Sequence, residues 1–383
     1  MTINVDLRPV RTARELAQFI DIPWRIDRAL GGDPCWVPPL RLGVKAALDP
    51  RHPFWQRNER QLWIAFQEGA PVGRIAAILN REHQEHWRDA TGFWGFFETI
   101  DQPQVAGALL SAAEAWLLER GCDTAVGPVS PSPHYEMGIL TSGFDAPPYL
   151  MLTHNPPYYP GLLAGAGYEK AVDLYAYLIP SDGVELAGKV ERVGEVLERR
   201  WGVTVRTGEM RHFAREAAII HRLYNASMLG QWGFTPIGES EFAAFAADLK
   251  RILDPDLVLF AERRGEPIGF LLALPNLNEI FLRIRDGRLL PFGLLKLLWL
   301  RRSVRSARVI LIGMLPEWQR RGVGSLLYRE IARRLVEKGY ADAEMSWVLE
   351  DNVLMNRAAR LLGGFVHKTY RVYRKGLRTS LPC

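Results

Sequence analysis

The sequence predicts an α/β chain, of the mixed-sheet α+β kind, built as two tandem domains of one design. Three observations support this. An apolar strand, a glycine-containing loop and an amphipathic helix follow one another between Val309 and Glu337. A hairpin-like segment recurs at a spacing of 196 residues. The chain has 383 residues and 48% hydrophobic content, enough for two cores.

The loop is Gln319-Arg320-Arg321-Gly322-Val323-Gly324, after an apolar strand from Val309 to Leu315. Its glycines allow close backbone approach, the helix start leaves N–H groups unpaired, and two arginines add positive charge. A pyrophosphate suits such a cradle; an ordinary turn is the bland alternative. In the helix that follows, Leu327, Ile331 and Leu335 form one stripe, Arg329, Arg333 and Glu337 lie off it, and Gly339 ends it. A strand from Ala343 to Leu349 comes next. Glu350-Asp351-Asn352 then opens a helix that ends at Gly363-Gly364-Phe365.

These residues resemble the GNAT superfamily of acyl-CoA-dependent N-acyltransferases. Its signature, Gln/Arg-x-x-Gly-x-Gly/Ala after a central strand, is complete at 319–324, and its closing Asn, helix, Gly-Phe pattern recurs at 352–365. The local resemblance covers about residues 257–375. It implies acyl-CoA as a co-substrate and no tightly bound cofactor. It also implies that backbone at Gly313, Met314 and Leu315 holds pantetheine and faces the thioester carbonyl. Gln319, Arg320, Arg321, Gly322, Val323, Gly324 and Ser325 would surround the pyrophosphate, and Asn352 would touch CoA. The superfamily often places a tyrosine general acid four residues before the final Gly-Phe. Arg360 stands there, which leaves solvent or Tyr328 for that role.

The repeat organises the whole chain. Gly69-Ala70-Pro71-Val72-Gly73 matches Gly265-Glu266-Pro267-Ile268-Gly269, each between two apolar runs, and Trp36 and Trp232 share the 196-residue spacing. Trp116 to Gly121 matches Arg334 to Gly339 at 218, and Gly167-Tyr168 matches Gly364-Phe365 at 197. Two tandem GNAT-like domains, 1–180 and 181–383, are expected. Aligned on the helix, Asp101 stands opposite Gln319, Pro103 opposite Arg321, Gln104 opposite Gly322 and Ala106 opposite Gly324. Proline lacks an N–H and neither arginine has a counterpart, so the first domain is expected to lack a CoA cradle and the second to be catalytic. Asp101 to Gln104 reads instead as a capping pair for a helix from Val105 to Arg120.

The changes of spacing locate an addition in each half. In the second, Leu289 to Leu300 is apolar with Pro291, Gly293 and Trp299, and is flanked by Arg283, Arg285, Arg288, Arg301, Arg302, Arg305 and Arg308. Segment 283–308 suits an anionic membrane surface or the cap of a lipid-chain tunnel; a core helix with snorkelling ends is the alternative. In the first, Gly127 to Pro148 is a proline-rich loop whose His134, Tyr135 and Glu136 offer acid, base and hydrogen-bonding groups. The aromatics of His154 to Tyr159 suit packing between domains.

Acyl transfer to an amine needs a base for the ammonium, donors for the oxyanion and a proton for sulfur. Glu279 and Glu350 are the base candidates. Asn276 and Asn278 could make a polar acceptor pocket with Glu279, bordered by Asn225, Trp232 and Glu239, and His134 and Glu136 could contribute from the first half. Gln231 to Pro236 and Pro275 to Glu279 extend the resemblance to a bacterial double-GNAT family that includes acyl-CoA-dependent ceramide synthases. That implies transfer of a long acyl chain to the amine of a lipid such as a sphingoid base. A small-molecule N-acetyltransferase and a noncatalytic acyl-CoA or lipid binder are the alternatives.

Cys35, Cys122 and Cys383 show neither metal spacing nor an even count, so no metal is expected and a reducing cytoplasm is, with peripheral contact to the inner face of the cell membrane. No signal peptide or membrane span is evident. The net charge of +5 favours anionic partners. Nucleic acid is not expected among them, because the basic residues cluster beside apolar ones without a stacking platform.

Overall fold

The computed structural model of the chain describes residues 4–181, 195 and 198–377, so Cys383 lies outside the described residues. The strands are β1 (Asp6–Pro9), β2 (Glu59–Gln67), β3 (Ala70–Leu79), β4 (Thr91–Thr99), β5 (Thr124–Gly127), β6 (Val129–Ser130), β7 (Glu136–Met137), β8 (Ile139–Ser142), β9 (Glu169–Pro180), β10 (Val203–Thr207), β11 (Val258–Arg263), β12 (Glu266–Pro275), β13 (Ser306–Met314), β14 (Asp342–Leu349) and β15 (Phe365–Gly376). The α-helices used below are α1 (Ala13–Ala29), α2 (Arg41–Ala47), α3 (Arg81–Trp87), α4 (Pro103–Leu118), α5 (Tyr159–Gly165), α6 (Phe213–Met228), α7 (Glu239–Leu249), α8 (Asn278–Phe281), α9 (Phe292–Leu300), α10 (Val323–Glu337) and α11 (Val353–Leu361).

The chain forms two compact units, and neither is a contiguous half. The first comprises residues 1–174, 278–299 and 368–383; the second comprises 175–277 and 300–367. The segment from Asn278 to Trp299 and the part of β15 from Lys368 onward belong with the first unit. Each unit carries a mixed sheet. In the first, β1, β2, β3 and β4 are antiparallel neighbours, β5 joins β4 in parallel, and the end of β15 pairs with β5 and β8. In the second, β10, β11, β12 and β13 are antiparallel neighbours and β14 joins β13 in parallel.

The sequence repeat is a repeat of backbone detail. Both hairpins turn on two residues of positive φ, Glu68-Gly69 and Arg264-Gly265, the arrangement of a tight hairpin turn. Both then slip register at the same step, between Ala65 and Phe66 and between Ala261 and Glu262, which are 196 residues apart. Gly73 and Gly269 occupy matching places of close approach: a side chain would meet the Glu98 carbonyl at 2.9 Å in one and Met314 at 2.9 Å in the other.

Each sheet is covered by the amphipathic helix that follows its central strand. On α10 the buried set includes Leu327, Ile331 and Leu335, the expected stripe. On α4 it includes Val105, Leu109, Ala113 and Trp116. That helix starts at Pro103 with Gln102 as N-cap and has no side-chain cap, so Asp101 to Gln104 is not a capping pair. The Gln102 amide oxygen instead accepts from Gln67 Nε2 at 3.2 Å. Tyr158 and Tyr159 meet ring to ring at 5.2 Å in the first unit, and Tyr159 packs against Phe97 at 5.4 Å.

The segment after Asn278 is anchored by its backbone. Arg285 O accepts from Trp24 Nε1 at 2.8 Å, and the Arg285 guanidinium donates to the carbonyls of Asp33, Pro34 and Trp36. Arg41 lies over the Trp24 ring at 3.8 Å and donates to Asp286 O. Gly287 sits in this corner at φ +66°, where a Cβ would lie 2.4 Å from the Trp24 ring and 2.6 Å from Pro39 O. Gly287→Ala should therefore destabilise the protein by about 1–3 kcal/mol for forced packing, plus ~1 kcal/mol for the left-handed backbone. Gly161→Ala, in α5 with nothing near its Cβ position, should be neutral or slightly stabilising. Urea unfolding of both variants checks the contrast.

Candidate active site

The second unit contains a parallel pair that separates. β13 and β14 are in register from Ser306↔Asp342 to Val309↔Met345, yet β13 continues to Met314 and β14 to Leu349. The other edge of β13 stays paired to β12 through Gly313↔Phe270 and Met314↔Gly269. Among the described residues, no strand pairs with the β14-facing edge of β13 beyond Val309. Main-chain groups on that edge are thus available to an extended ligand. Gly313 is required here by packing: a Cβ would come within 2.5 Å of Ser227 Oγ on α6 and 2.6 Å of the Phe270 ring.

The glycine loop lies just beyond. Leu315 N–H donates to Ile268 O at 2.9 Å, a short turn covers Pro316–Trp318, and Gly322 then caps α10 at φ +88°. No side chain caps this helix, so first-turn N–H groups remain for an anion, and the helix dipole favours one. Val323 is buried, and Ser325 N–H donates back to Gly322 O at 2.9 Å. Gly324 is not sterically essential to the fold, since a Cβ there would meet Met314 at an ordinary 3.4 Å. Arg320 is exposed. Arg321 is held over Trp201 and Trp318 at 4.9 and 5.0 Å, which fixes its charge beside the loop. Gln319 Nε2 donates to Ser227 O at 3.1 Å and Met314 O at 3.3 Å, so its side chain ties loop to strand and helix.

The turn after β14 is held by two asparagines. Asn352 caps α11 by accepting from Met355 N–H at 3.1 Å. Asn356, which sequence reasoning missed, donates to the carbonyls of Leu349, Glu350 and Asn352 and accepts from Tyr177 Oη at 2.8 Å. Glu350 is half-buried on that turn. Tyr328 is buried, its hydroxyl meets Met355 S at 3.1 Å, and burial pushes its pKa well up, so it stays protonated at neutral pH. Arg360 is exposed on α11.

A polar chain begins where the β13–β14 ladder ends, and it too was missed. Arg308 Nε donates to Ser346 Oγ at 2.9 Å, Ser346 Oγ donates to Glu344, and the other Glu344 oxygen lies 2.7 Å from His367 Nε2. Glu344 is fully buried. Arg308, expected as a surface flank, is 4% exposed and belongs to this chain, because its place on β13 points it beside β14. A Glu two residues before a Ser on one strand put both on one face, the only sequence signal available.

Side chains expected around the acceptor have separate structural bonds. Asn225 brackets Ile237 by donating to its carbonyl and accepting from its N–H, both at 3.1 Å. Trp232 is half-buried in the loop after α6 and Glu239 exposed at the start of α7. Asn276, in the second unit, donates to Ser306 Oγ at 3.0 Å. Asn278 and Glu279 belong to the first unit, where Asn278 donates to Pro148 O and Tyr149 O.

Behind the splayed strand, α6, α7 and the faces of β11 to β13 enclose an apolar slot of about 40 Å³, lined by Ala217, Ile220, Phe245, Leu249, Leu272 and Leu311 among others. Leu311 lies on the separated stretch of β13.

The first unit repeats the separation and then fills it. β4 and β5 pair only from Thr91↔Thr124 to Phe93↔Val126. Ser130 Oγ accepts from Phe96 N–H at 2.8 Å, and Val129 O would lie 1.8 Å from a Cβ on Gly95. Tyr159 Oη accepts from Thr99 N–H at 2.9 Å, and Tyr158 Oη donates to Thr99 O. Nearby is a cavity of about 330 Å³, lined by Trp36, Arg74, Glu98, Glu136, His154 and Asn155 among others. His134 is half-buried in the same loop as Glu136 but does not line it. Burial raises the pKa of Glu98 and lowers those of Arg74 and His154.

Comparison with known proteins agrees with this geometry. The Acetyltransferase (GNAT) family matches residues 218–363. A Caulobacter vibrioides (strain NA1000 / CB15N) protein named bacterial ceramide synthase is 37% identical, covering 98% of each chain. Protein YghO of Escherichia coli (strain K12) is 36% identical over 96% of this chain and 95% of its own. In fold, a tandem GNAT protein from the clavulanic acid biosynthesis pathway superposes with a TM-score of 0.59, at 13% identity over 98% of this chain and all of its own. A GCN5-related N-acetyltransferase from Sphaerobacter thermophilus gives 0.53 at 15% identity, over 99% and 98% of the two chains. Among the described residues no cluster of metal-ligating side chains occurs and no helix is long and apolar enough to cross a membrane. The chain belongs to the GNAT superfamily as a tandem N-acyltransferase that uses acyl-CoA as co-substrate.

Proposed function

We propose that the protein transfers a long acyl chain from acyl-CoA to the amine of a lipid, such as a sphingoid base. The carrying observation is the separated edge of β13, with the uncapped start of α10 beyond one end and an apolar slot reached at Leu311. Pyrophosphate sits on Gly322 to Ser325 beside Arg320 and Arg321, pantetheine runs along Gly313 to Leu315, and Asn352 borders CoA. The acyl chain enters the slot, which at about 40 Å³ is narrow, so a long chain requires α6 and α7 to part. The relative named bacterial ceramide synthase supports a lipid amine. The second unit carries the catalytic site, and one CoA binds per chain, because protein groups fill the matching gap in the first.

The neutral amine attacks the thioester carbonyl, the C–N bond forms, the C–S bond breaks, and the thiolate takes a proton. Glu350 accepts the ammonium proton, and the Ser346–Glu344–His367 chain is a second route away from the cleft. Tyr328 donates to sulfur. Asn225, Trp232 and Asn276 shape the acceptor side. The apolar face of α9 rests on an anionic membrane: Phe292, Leu295, Leu298 and Trp299 are 62–82% exposed, and Arg301 and Arg302 follow directly.

Mass spectrometry of products from acyl-CoAs of graded length and amines of graded polarity tests this reading. Long-chain amides should form, and acetyl transfer confined to soluble amines would reject it. Gly322→Val should weaken CoA binding about tenfold or more in calorimetry without unfolding the chain. Ala217→Trp, which narrows the slot, should move the preference toward shorter acyl-CoAs. Trp299→Ala combined with Leu295→Ala should reduce co-sedimentation with phosphatidylglycerol vesicles while leaving CoA affinity unchanged.

A further inference from the structure

We infer that the first unit holds a separate binding site for an amphiphilic primary amine with a hydroxyl or carbonyl oxygen near its nitrogen. A second cavity of about 270 Å³ adjoins the one of about 330 Å³, and the two share Trp36, Glu98, His154 and Asn155. The larger falls in the usual range for small-molecule sites, about 300–1,000 Å³.

The charge of the walls selects the ligand. Asp27, Asp33 and Glu136 line the cavities, together with a Glu98 whose pKa burial raises, against the guanidinium of Arg74 and a His154 whose pKa burial lowers. Lys368 is near His154 but donates to Gly143 O and Ala146 O and lines neither cavity. An excess of carboxylates favours an ammonium. The Arg74 side chain is 5% exposed; Nη1 donates to Phe19 O and Nη2 faces Glu98, while Nε has no hydrogen-bond partner. His154 Nε2 meets Asp33 at 2.9 Å and its buried Nδ1 also lacks a partner. Arg74 Nε–H calls for an oxygen acceptor, and His154 Nδ1, the acceptor nitrogen once Nε2–H serves Asp33, calls for a hydroxyl, an ammonium or a water. Leu40, Val44, Phe97, Leu150, Leu152 and Phe281 line the rest of the larger cavity and suit an alkyl chain.

The polar pair is particular to this unit. Arg74 stands opposite Glu98 in the β3–β4 ladder, where the second unit pairs Phe270 with Gly313. Tyr159 Oη donates to Glu98 at 2.7 Å and orients it. The room is therefore not a vestige of a CoA cleft, which Val129, Ser130 and Tyr159 close. That the ligand is the acyl acceptor rests on the function proposed above; the site itself does not.

Calorimetric titration of the full chain without CoA tests the site, using dodecylamine, dodecanol and an amino alcohol of the same chain length. The amino alcohol should bind tightest and dodecanol at least tenfold more weakly than dodecylamine. Glu136→Gln, on an exposed residue, and Glu98→Gln should each weaken the amines several-fold, and Gly322→Val should leave them unchanged. Equal binding of dodecylamine and dodecanol, or undiminished amine binding in the Glu98→Gln, Glu136→Gln double variant with unchanged circular dichroism, would overturn the site. In turnover, an unchanged KM for the amine in that double variant removes the link to the acceptor and leaves acyl transfer intact. Amine binding without any acyl transfer rejects the proposed function and leaves the site standing.

Discussion

Everything functional in the second unit depends on two parallel strands that stop pairing at Val309↔Met345 while both continue. A sheet edge in a protein interior is costly unless its N–H and C=O groups find partners. Here the separated edge is held open from the far side. β12 keeps its ladder with β13 to Met314, and α6 presses on Gly313 so closely that no side chain fits. The walls of this opening are regular structure, and the glycine loop then starts a helix without a side-chain cap beyond the end of β13. The separated edge offers main-chain groups suited to an extended ligand, and the helix start offers donors suited to an anion.

The first unit shows the same opening filled by protein groups. The same central strand parts from the same parallel neighbour, yet Ser130 and Tyr159 supply oxygens to the N–H groups of Phe96 and Thr99. Gly95 is required so that Val129 O can approach. The glycines of the two units thus mark different approaches, a helix side chain at Gly313 and the chain's own carbonyl at Gly95. Beside the filled gap, a buried Arg74 stands opposite Glu98 on the neighbouring strand. A buried pair of this kind is weak evidence for stability.

Much of this was legible in the residues. The repeat at 196 predicted two related hairpins; the structure adds that they share the same turn and the same register slip. The stripe Leu327, Ile331, Leu335 and the loop 319–324 appear where periodicity and glycine spacing put them. Other readings failed for definite reasons. Asp101 to Gln104 matched a capping pattern, but Pro103 as first helical residue moved the cap to Gln102, whose side chain bonds Gln67. Arg308 counted as one of seven flanking arginines, because linear proximity cannot distinguish a loop arginine from one already in β13. The pair Arg74–Glu98 had a signal in the repeat, an arginine where the other copy has Phe270, although its partner 24 residues on could be recognised only from strand register.

The sequence by itself determined the family, the glycine loop that opens a helix with no side-chain cap and the absence of that loop's glycines and arginines in the first half, because these depend on local chemistry: glycine conformations, a missing proline N–H, charges within a few residues. Only the tertiary structure decided which residues share a wall. It placed residues 278–299 with the first unit, filled one strand gap and left the other open, linked Arg308 to His367 through Ser346 and Glu344, and gathered carboxylates from distant positions around one cavity. Those outcomes depend on register and on contacts between segments far apart in the chain, where a shift of one residue reverses the face a side chain presents.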